Sequence, residues 1–443
     1  ELLIGVSVSI PGTNIGTVSI MEGKFELEIP EDAKKLQVSY IGFDTQEISL
    51  SPGKTTFNIV MGENVKMLSE VVVVGYGTQK KANLTGAVAT VDVNKTLDSR
   101  PIADIGRGLQ GAVAGVNITI PTGEVGSDPL IKIRGQVGSI SGNNTPLILL
   151  DNVEIPSIQM VNPNDVQSIS VLKDAASSSI YGSKAAFGVI LITTKSGAQS
   201  DKFEISYSNN FSWQDPAKKI EIGGIEALQY TLDAQTNRRE PMPAGGFWRI
   251  SPESLEKAIE WQNLYGGKVK WNDPVVYGRD WFYDGKDKYG YRLYDGAKAM
   301  IKNWTPTMTH NLSVNGKSGK TSYNIGLGYL DQSGMSKTAK KDDFKRYNAS
   351  VSVTSEINKY ITVRASSIYS DRNKRYPGIG NTTADPWLYL YRWSPLMPMG
   401  VTENGNPLKE PTYEMAAANT DNLQNKYYNI NLGFTLNLTK NWD

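Results

Sequence analysis

The 443-residue chain has no cysteine and a single histidine, His310. The first absence excludes disulfides, thiolate metal sites and cysteine nucleophiles. The second excludes multi-histidine metal centres and argues against a Ser-His-Asp triad. Neither sign of charge is in excess: 46 Lys and Arg face 45 Asp and Glu, a net charge of +1. That balance leaves no basic footprint for nucleic acid. No apolar run approaches the roughly 18 residues of a transmembrane helix. The opening Glu1-Leu2-Leu3-Ile4-Gly5 lacks the charged n-region of a signal peptide. These absences do not make the chain soluble, because a transmembrane β-barrel hides its apolar face in alternation.

What is present changes texture along the chain. Residues 1–62 read as short strands between turns: Val6 to Ile10, Lys24 to Ile29, Leu36 to Tyr40, Gln46 to Leu50 and Thr55 to Val60. This spacing predicts a small β-sandwich. Its first strand is hard to find, so truncation at the N-terminus is expected. Residues 63–78 are a linker carrying Glu70-Val71-Val72-Val73-Val74-Gly75, a tract of high β-propensity. Residues 79–198 mix short strands and helices into a compact α+β unit. Asn162-Pro163-Asn164-Asp165 is a turn and helix-start cluster, and Asp174 is placed to cap a short Ala/Ser helix.

From residue 199 onward the chain alternates. Phe203, Ile205, Tyr207, Phe211 and Trp213 share one parity against Glu204, Ser206, Ser208 and Asn210. The pattern repeats around Leu312, Leu327, Val351, Val363 and Leu432, predicting six strands of about 9–13 residues, longer than the usual about 5–6. Short turns at 316–320 and 356–359 contrast with long connections at 214–305, 331–343 and 371–426. Aromatics near strand ends (Trp213, Tyr329, Tyr369, Trp442) would suit interfacial girdles. A small, neutral polar parity would suit a water-filled lumen. Together these features predict the first strands of a transmembrane barrel, with residues 199–443 forming part of it.

Several stretches carry a family resemblance. Glu70 to Lys81 with Leu84-Thr85-Gly86, Leu109-Gln110-Gly111, Ile133-Arg134-Gly135, Pro146 to Asp151 and the segment Asn162 to Gly197 resemble SusC-like TonB-dependent outer-membrane transporters. Residues 1–62 look like the carboxypeptidase-regulatory-like extension of that family. The resemblance implies a mainly β fold: an N-terminal sandwich, an α+β plug and a large antiparallel barrel of about 22 strands. The residues after 197 are too few for such a barrel, so the chain is expected to be an N-terminal portion. The resemblance implies active import of an oligomeric nutrient, a glycan or an oligopeptide, across the outer membrane of a Gram-negative bacterium. It implies TonB and a SusD-like surface lipoprotein as partners, in a dimer of transporter–lipoprotein pairs, with no enzyme activity, cofactor or metal. Where the family usually has Arg, this chain has Lys184, a weaker fork donor.

Site expectations follow. Glu70, Val71, Val72, Val73, Val74 and Gly75 form the implied TonB box; an extended tract can join a partner's sheet edge through its backbone. The competing reading is an ordinary buried strand. Arg134 and Lys184 are candidates for a lock between plug and barrel, with Glu124, Asp128 and Asp151 as carboxylates within sequence reach of Arg134. Trp248, Trp271, Trp281, Tyr283 and Trp387 are candidate contacts for substrate or lid, against the reading that they pack the loops' own core. The pair Asp342-Asp343 and the turn Asp284-Gly285-Lys286-Asp287 are read as loop features, neither catalytic nor calcium-binding. Two other classes compete: a surface adhesion protein extractable without detergent, and a secreted glycan-degrading enzyme.

Overall fold

The computed structural model describes residues 104–120, 124–135, 145–198, 203–216, 219–238, 248–378 and 394–436 continuously. Before residue 104 it describes 5–11, 15–20, 23–30, 35–40, 45–50, 55–61, 71–74, 77–80 and 88–91, with a few single residues elsewhere. The chain divides into two compact units, residues 1–88 with 174–182, and residues 89–173 with 183–443.

In the first unit, β1 (Ser7–Ser9), β2 (Gly16–Val18), β3 (Lys35–Ser39) and β4 (Gln46–Ser49) form one antiparallel sheet in the order β2-β1-β3-β4. Alternation puts Val8, Leu36 and Val38 on one buried face. The segments 24–29 and 55–60, expected as strands, carry no ladder among the described residues. They still lay Phe25, Leu27, Ile59 and Met61 over that face, so a second layer exists without a second sheet. Further along, β5 (Val71–Val74) and β6 (Gly77–Lys80) pair as a hairpin. Asp174 caps the short helix Ala175–Ser178, accepting from the Ser177 N–H at 2.8 Å.

The second unit opens with a mixed sheet. β7 (Val88–Val91), β10 (Leu147–Leu150), β11 (Val153–Glu154), β12 (Val166–Leu172) and β13 (Val189–Thr194) stand in the order β11-β10-β13-β12-β7. A separate hairpin joins β8 (Val116–Thr119) and β9 (Leu130–Ile133). β13 opens as a continuous apolar run and β12 alternates, so that Val166, Ile169, Val171, Ile190 and Ile192 face one core with Ile105, Leu109 and Ile158.

The remaining strands are β14 (Glu204–Gln214), then β15 (Trp248–Arg249), β16 (Trp281–Tyr283) and β17 (Lys288–Gly290), then β18 (Thr305–Ser318), β19 (Thr321–Ser333), β20 (Asp343–Asn358), β21 (Ile361–Pro377) and β22 (Thr420–Leu436). The six long ones form one antiparallel sheet in the order β14-β18-β19-β20-β21-β22. They run 11 to 17 residues, longer than the alternation alone suggested. β21 continues to Pro377 and β22 starts at Thr420, because polar residues near the loop end still pair.

Two-residue connections, Gly319-Lys320 and Lys359-Tyr360, close one end of this sheet. Gly319 sits at φ 58°, where a side chain would be strained. The other end carries everything long. One face is apolar and open: Phe203, Ile205, Tyr207, Phe211 and Trp213 are 56–63 % exposed, and Tyr428, Ile430, Leu432 and Phe434 are 59–75 % exposed. On that face His310 lies among rings, its Nδ1 2.7 Å from the Tyr207 hydroxyl and its ring close to Phe211 and Tyr329. Among the described residues no helix is long and apolar enough to cross a membrane.

Candidate functional site

The opposite, inward face of the long-stranded sheet meets the mixed-sheet domain. The meeting is built from three loop segments of that domain. Asn162 caps a 3₁₀ turn, Pro163–Asp165, whose proline presets the backbone at its first position. Ser157 caps another, Ile158–Met160. The third segment, Glu124 to Asp128, leads into β9.

Midway along the strands, around the register row Ser208, Asn311, Gly328 and Asn348, these segments touch neutral groups. Asn162 Nδ2 donates to Asn311 Oδ1 at 2.9 Å, and Asn164 Nδ2 to Ser208 Oγ at 3.2 Å. On β22, Asn431 Nδ2 donates to the Asp151 carbonyl at 3.1 Å. β19 offers bare backbone here. A Cβ on Gly326 would lie 2.4 Å from Asp165 Oδ1, and one on Gly328 would lie 2.5 Å from Asn162 Nδ2.

In that same row Asn348 Nδ2 donates to the Met160 carbonyl at 2.7 Å. From the next inward position toward the loop end the contacts become charged, beginning with Arg346 Nη1, which donates to the Gln159 carbonyl at 2.9 Å. Arg372 Nη1 donates to Ser157 Oγ at 3.0 Å and lies 3.5 Å from Asp128 Oδ1. The Ser157 hydroxyl in turn donates to Asp128. Lys374 Nζ reaches Glu124 Oε2 at 2.6 Å. Val125 packs against Leu330 and Phe344, and Ile368 enters the core of the mixed-sheet domain. The strand register aligns these groups in rows, Arg346 opposite Arg372 and Phe344 opposite Lys374.

The carboxylates behind this surface are buried. Burial pushes Asp104 and Asp165 above the ordinary carboxylate value, although the Arg107 N–H donates to Asp104 and Lys195 and Arg346 lie near Asp165. Asp151 is likewise raised by burial against hydrogen bonds from Thr194.

The candidate lock residues lie elsewhere. Arg134 is exposed at φ 53°, its backbone N–H donating to the Gly115 carbonyl, and it forms no ion pair among the described residues. The three carboxylates considered for it all have other partners: Lys374, Arg372 and Thr194. Lys184 pairs with Glu154 at 2.6 Å, a contact between two exposed groups of the mixed-sheet domain. The cations that hold domain and wall together are instead Arg346, Arg372 and Lys374. Their signal was legible, since they break an otherwise small, neutral parity on β20 and β21.

The loop end carries a module with its own core. Helix Pro252–Tyr265 starts at the capping box of Ser251 and Ser254. With β15, β16 and β17 it surrounds Asp280, which is fully buried. Asp280 accepts from Trp261 Nε1 at 2.8 Å, the Val276 N–H at 2.9 Å and Arg279 Nη2 at 2.7 Å, and lies 3.6 Å from Arg292. Burial alone would raise its pKa, but these donors outweigh burial and hold it below the ordinary value. Arg292 is buried too, over the Tyr294 ring and donating to the Lys270 and Asp273 carbonyls. Leu396 and Met399, from the loop between β21 and β22, complete this core with Leu255 and Val275.

The expected contact aromatics therefore divide. Trp281 is half-buried against the module core. Trp271 is 53 % exposed, with Lys337 Nζ 5.3 Å over its ring, and Tyr283 is 43 % exposed. Trp248 lies in β15; its side chain, and all of Trp387 and Trp442, fall outside the described residues. Asp342, expected as a solvated loop charge, is instead half-buried and accepts from the Ser336 N–H, while Asp343 pairs with Arg375. Asp284 accepts from the N–H groups of Lys286 and Asp287, the geometry of a closed turn.

The tract Val71–Val74 pairs in register with Gly77–Lys80, Val71 opposite Lys80 and Val74 opposite Gly77. It is extended, with one edge occupied and, among the described residues, the other unpaired. Glu70 and Gly75 lie outside the described residues.

Comparison with known proteins places these parts. Residues 80–189 match the TonB-dependent receptor plug domain, and residues 1–73 match a carboxypeptidase-regulatory-like domain. The chain is 28 % identical over 362 residues to the TonB-dependent receptor SusC of Bacteroides thetaiotaomicron, covering 80 % of this chain and 31 % of SusC. It belongs to the SusC-like TonB-dependent receptors. A TonB-dependent receptor of Formosa agariphila is 29 % identical over 436 residues, covering 96 % of this chain and 39 % of the relative. Among solved structures, the RagAB peptide importer in its open-open state superposes with a TM-score of 0.54 at 27 % identity, covering 76 % of this chain and 36 % of that one. The chain thus spans roughly a third of the length of the relatives it matches. The mixed-sheet domain is the plug, the six long strands are barrel wall, and the protein is an outer-membrane one.

Proposed function

We propose that the protein to which this chain belongs imports an oligomeric nutrient across the outer membrane, driven by TonB and working with a SusD-like surface lipoprotein in paired complexes. The observation that carries the reading is the plug–wall contact. It is made chiefly of hydrogen bonds and ion pairs that water can replace, as a removable closure needs. An extended hairpin that precedes it in sequence offers a backbone edge to a periplasmic partner. Substrate would bind between the lipoprotein lid and the loop-end surface of the plug; the box at 70–75 would then pair with TonB, and pulling would remodel the plug.

We favour a glycan as substrate, because the inward parity of the wall is mostly small and neutral and because Trp271 and Tyr283 are exposed aromatic side chains on the loop module. The likeness to the RagAB peptide importer supports an oligopeptide as the second reading. Deleting residues 70–75 in the full-length protein is expected to abolish uptake while surface binding persists; unchanged uptake would sink the proposal. Mass spectrometry of the complex extracted from native outer membrane should find a stoichiometric lipoprotein, and the co-purified small molecule decides between glycan and peptide.

A further inference from the structure

The outward face of the wall has a depth scale, because the register ties all six strands together. The loop-end edge of its apolar belt is not level in register. On β14 it stands at Trp213, with Asp215 beyond; on β22 it stands at Tyr428, with Lys426 beyond. The pairs that run from Tyr428 through Tyr369, Ala349, Leu327 and Leu312 end at Tyr207, six residues short of Trp213. Six residues at about 3.3 Å each, over five strand steps of about 4.8 Å, give a slope of about 40°. Strands of a transmembrane barrel lean by about 35–45°. The opposite edge falls the same way: Phe434 shares a row with Ser318, past Val314, the last outward apolar residue of β18. The belt is therefore level in the membrane when the strands lean by that angle.

At this tilt Asn209 and His310 lie about 10 Å inside the belt, four residues short of Trp213 and Pro306. They stand directly opposite each other on β14 and β18. Among the described outward residues of the belt, His310 is the one side chain other than tyrosine able to carry a charge, and Asn209 the one amide. His310 engages Tyr207 through Nδ1; its Nε2 and the exposed Asn209 amide have no hydrogen-bond partner among the described residues. Rings frame the pair: Tyr207 and Phe211 on one side, then Tyr329 and Tyr347 along the His310 row. On β22 the belt presents Ile430, Leu432 and Phe434 instead. Lipid tails suit that second surface. They offer no hydrogen bond, so they would leave the amide and the imidazole unsatisfied.

We propose that Asn209 and His310, framed by Tyr207, Phe211, Tyr329 and Tyr347, form the patch on which a second copy of the protein docks within the membrane. The paired complexes of the transport reading are the premise; what is added is the face that pairs and the groups that make it. A two-fold contact uses one patch twice, so the patch must complement itself. An amide both donates and accepts, and imidazole presents two ring nitrogens, so Asn209 of one copy matches His310 of the other. Aromatic rings are enriched in the core of such contacts. The aliphatic face on β21 and β22 is left to lipid.

The test is photo-crosslinking of the full-length protein in intact outer membrane. Phe211→p-benzoylphenylalanine and Tyr347→p-benzoylphenylalanine probe the patch, and Phe434→p-benzoylphenylalanine probes the aliphatic face; all three side chains are exposed rings, so the replacements leave the packing inside the wall untouched. Irradiation is expected to yield a covalent homodimer from positions 211 and 347, several-fold more than from 434. Native mass spectrometry of the detergent extract should find two transporters per complex, falling to one in the double variant Asn209→Leu with His310→Leu. Paired complexes in which the probes at 211 and 347 capture only lipid or a different protein would overturn the inference and leave the paired reading standing. Pairs that survive the double substitution unchanged would do the same. An unsubstituted complex holding a single transporter would overturn the paired reading, and the inference with it.

Discussion

Two single positions carry unusual weight. Asp280 has no exposed surface and serves four donors or cations at once. Asp280→Asn keeps the shape but removes the charge opposite Arg292, and is expected to destabilise the loop module by about 3 kcal/mol. Hydrogen exchange of amides 276–294 should rise while barrel amides stay protected. Gly328 is the second. A side chain there collides with Asn162 rather than with a flexible tip, because Asn162 is fixed by its own cap. Gly328→Val is expected to push the plug off β19 and raise the ion leak of the reconstituted full-length protein in planar bilayers. An unchanged conductance would show that the plug rests elsewhere.

Whole elements respond to pH in opposite senses. Asp104 and Asp165 in the plug have pKa values raised above 3.8 by burial, so the plug takes up protons as it folds. Their stabilisation is complete below pH 3.8 and fades as pH rises through the raised values. Asp280 is lowered below 3.8, so the loop module is stabilised above that pH and loses this support as pH falls through its own value. Acidification from neutrality should therefore firm the plug first and melt the loop module only below pH 3.8, resolvable by exchange mass spectrometry. Asp104→Asn should flatten the plug's part of that profile. The box hairpin is an element with a different weakness. Val72→Pro removes a backbone donor from the tract opposite Gln79 and is expected to cut TonB binding while leaving barrel stability unchanged, measured with the isolated TonB C-terminal domain.

At the scale of the molecule, legibility followed physical locality. Alternation in Phe203–Trp213 or Tyr428–Leu438 reports a pleated strand with one apolar face, a property of neighbours two apart, and six strands were readable from it. Ser251-Pro252 announced its helix for the same reason. The ladder-free segments at 24–29 and 55–60 alternate equally well, but pairing depends on distant chain that sequence spacing does not supply. Charge partners were misplaced for that reason too. Arg134 lies near Glu124 and Asp128 in sequence, yet the wall brings Lys374 and Arg372 to them across some 250 residues. Only the odd parity of those cations hinted at it.

Leu396 and Met399 bind two loops, separated in sequence by four barrel strands, into one folded body. The consequence is evolutionary. Recombination that exchanges residues 215–304 alone would remove Leu255 and Val275 and leave Leu396 and Met399 of the partner loop uncovered, so new outer surfaces fold only as matched pairs. The two loops form one folding cassette, in which a change in either half must be matched in the other.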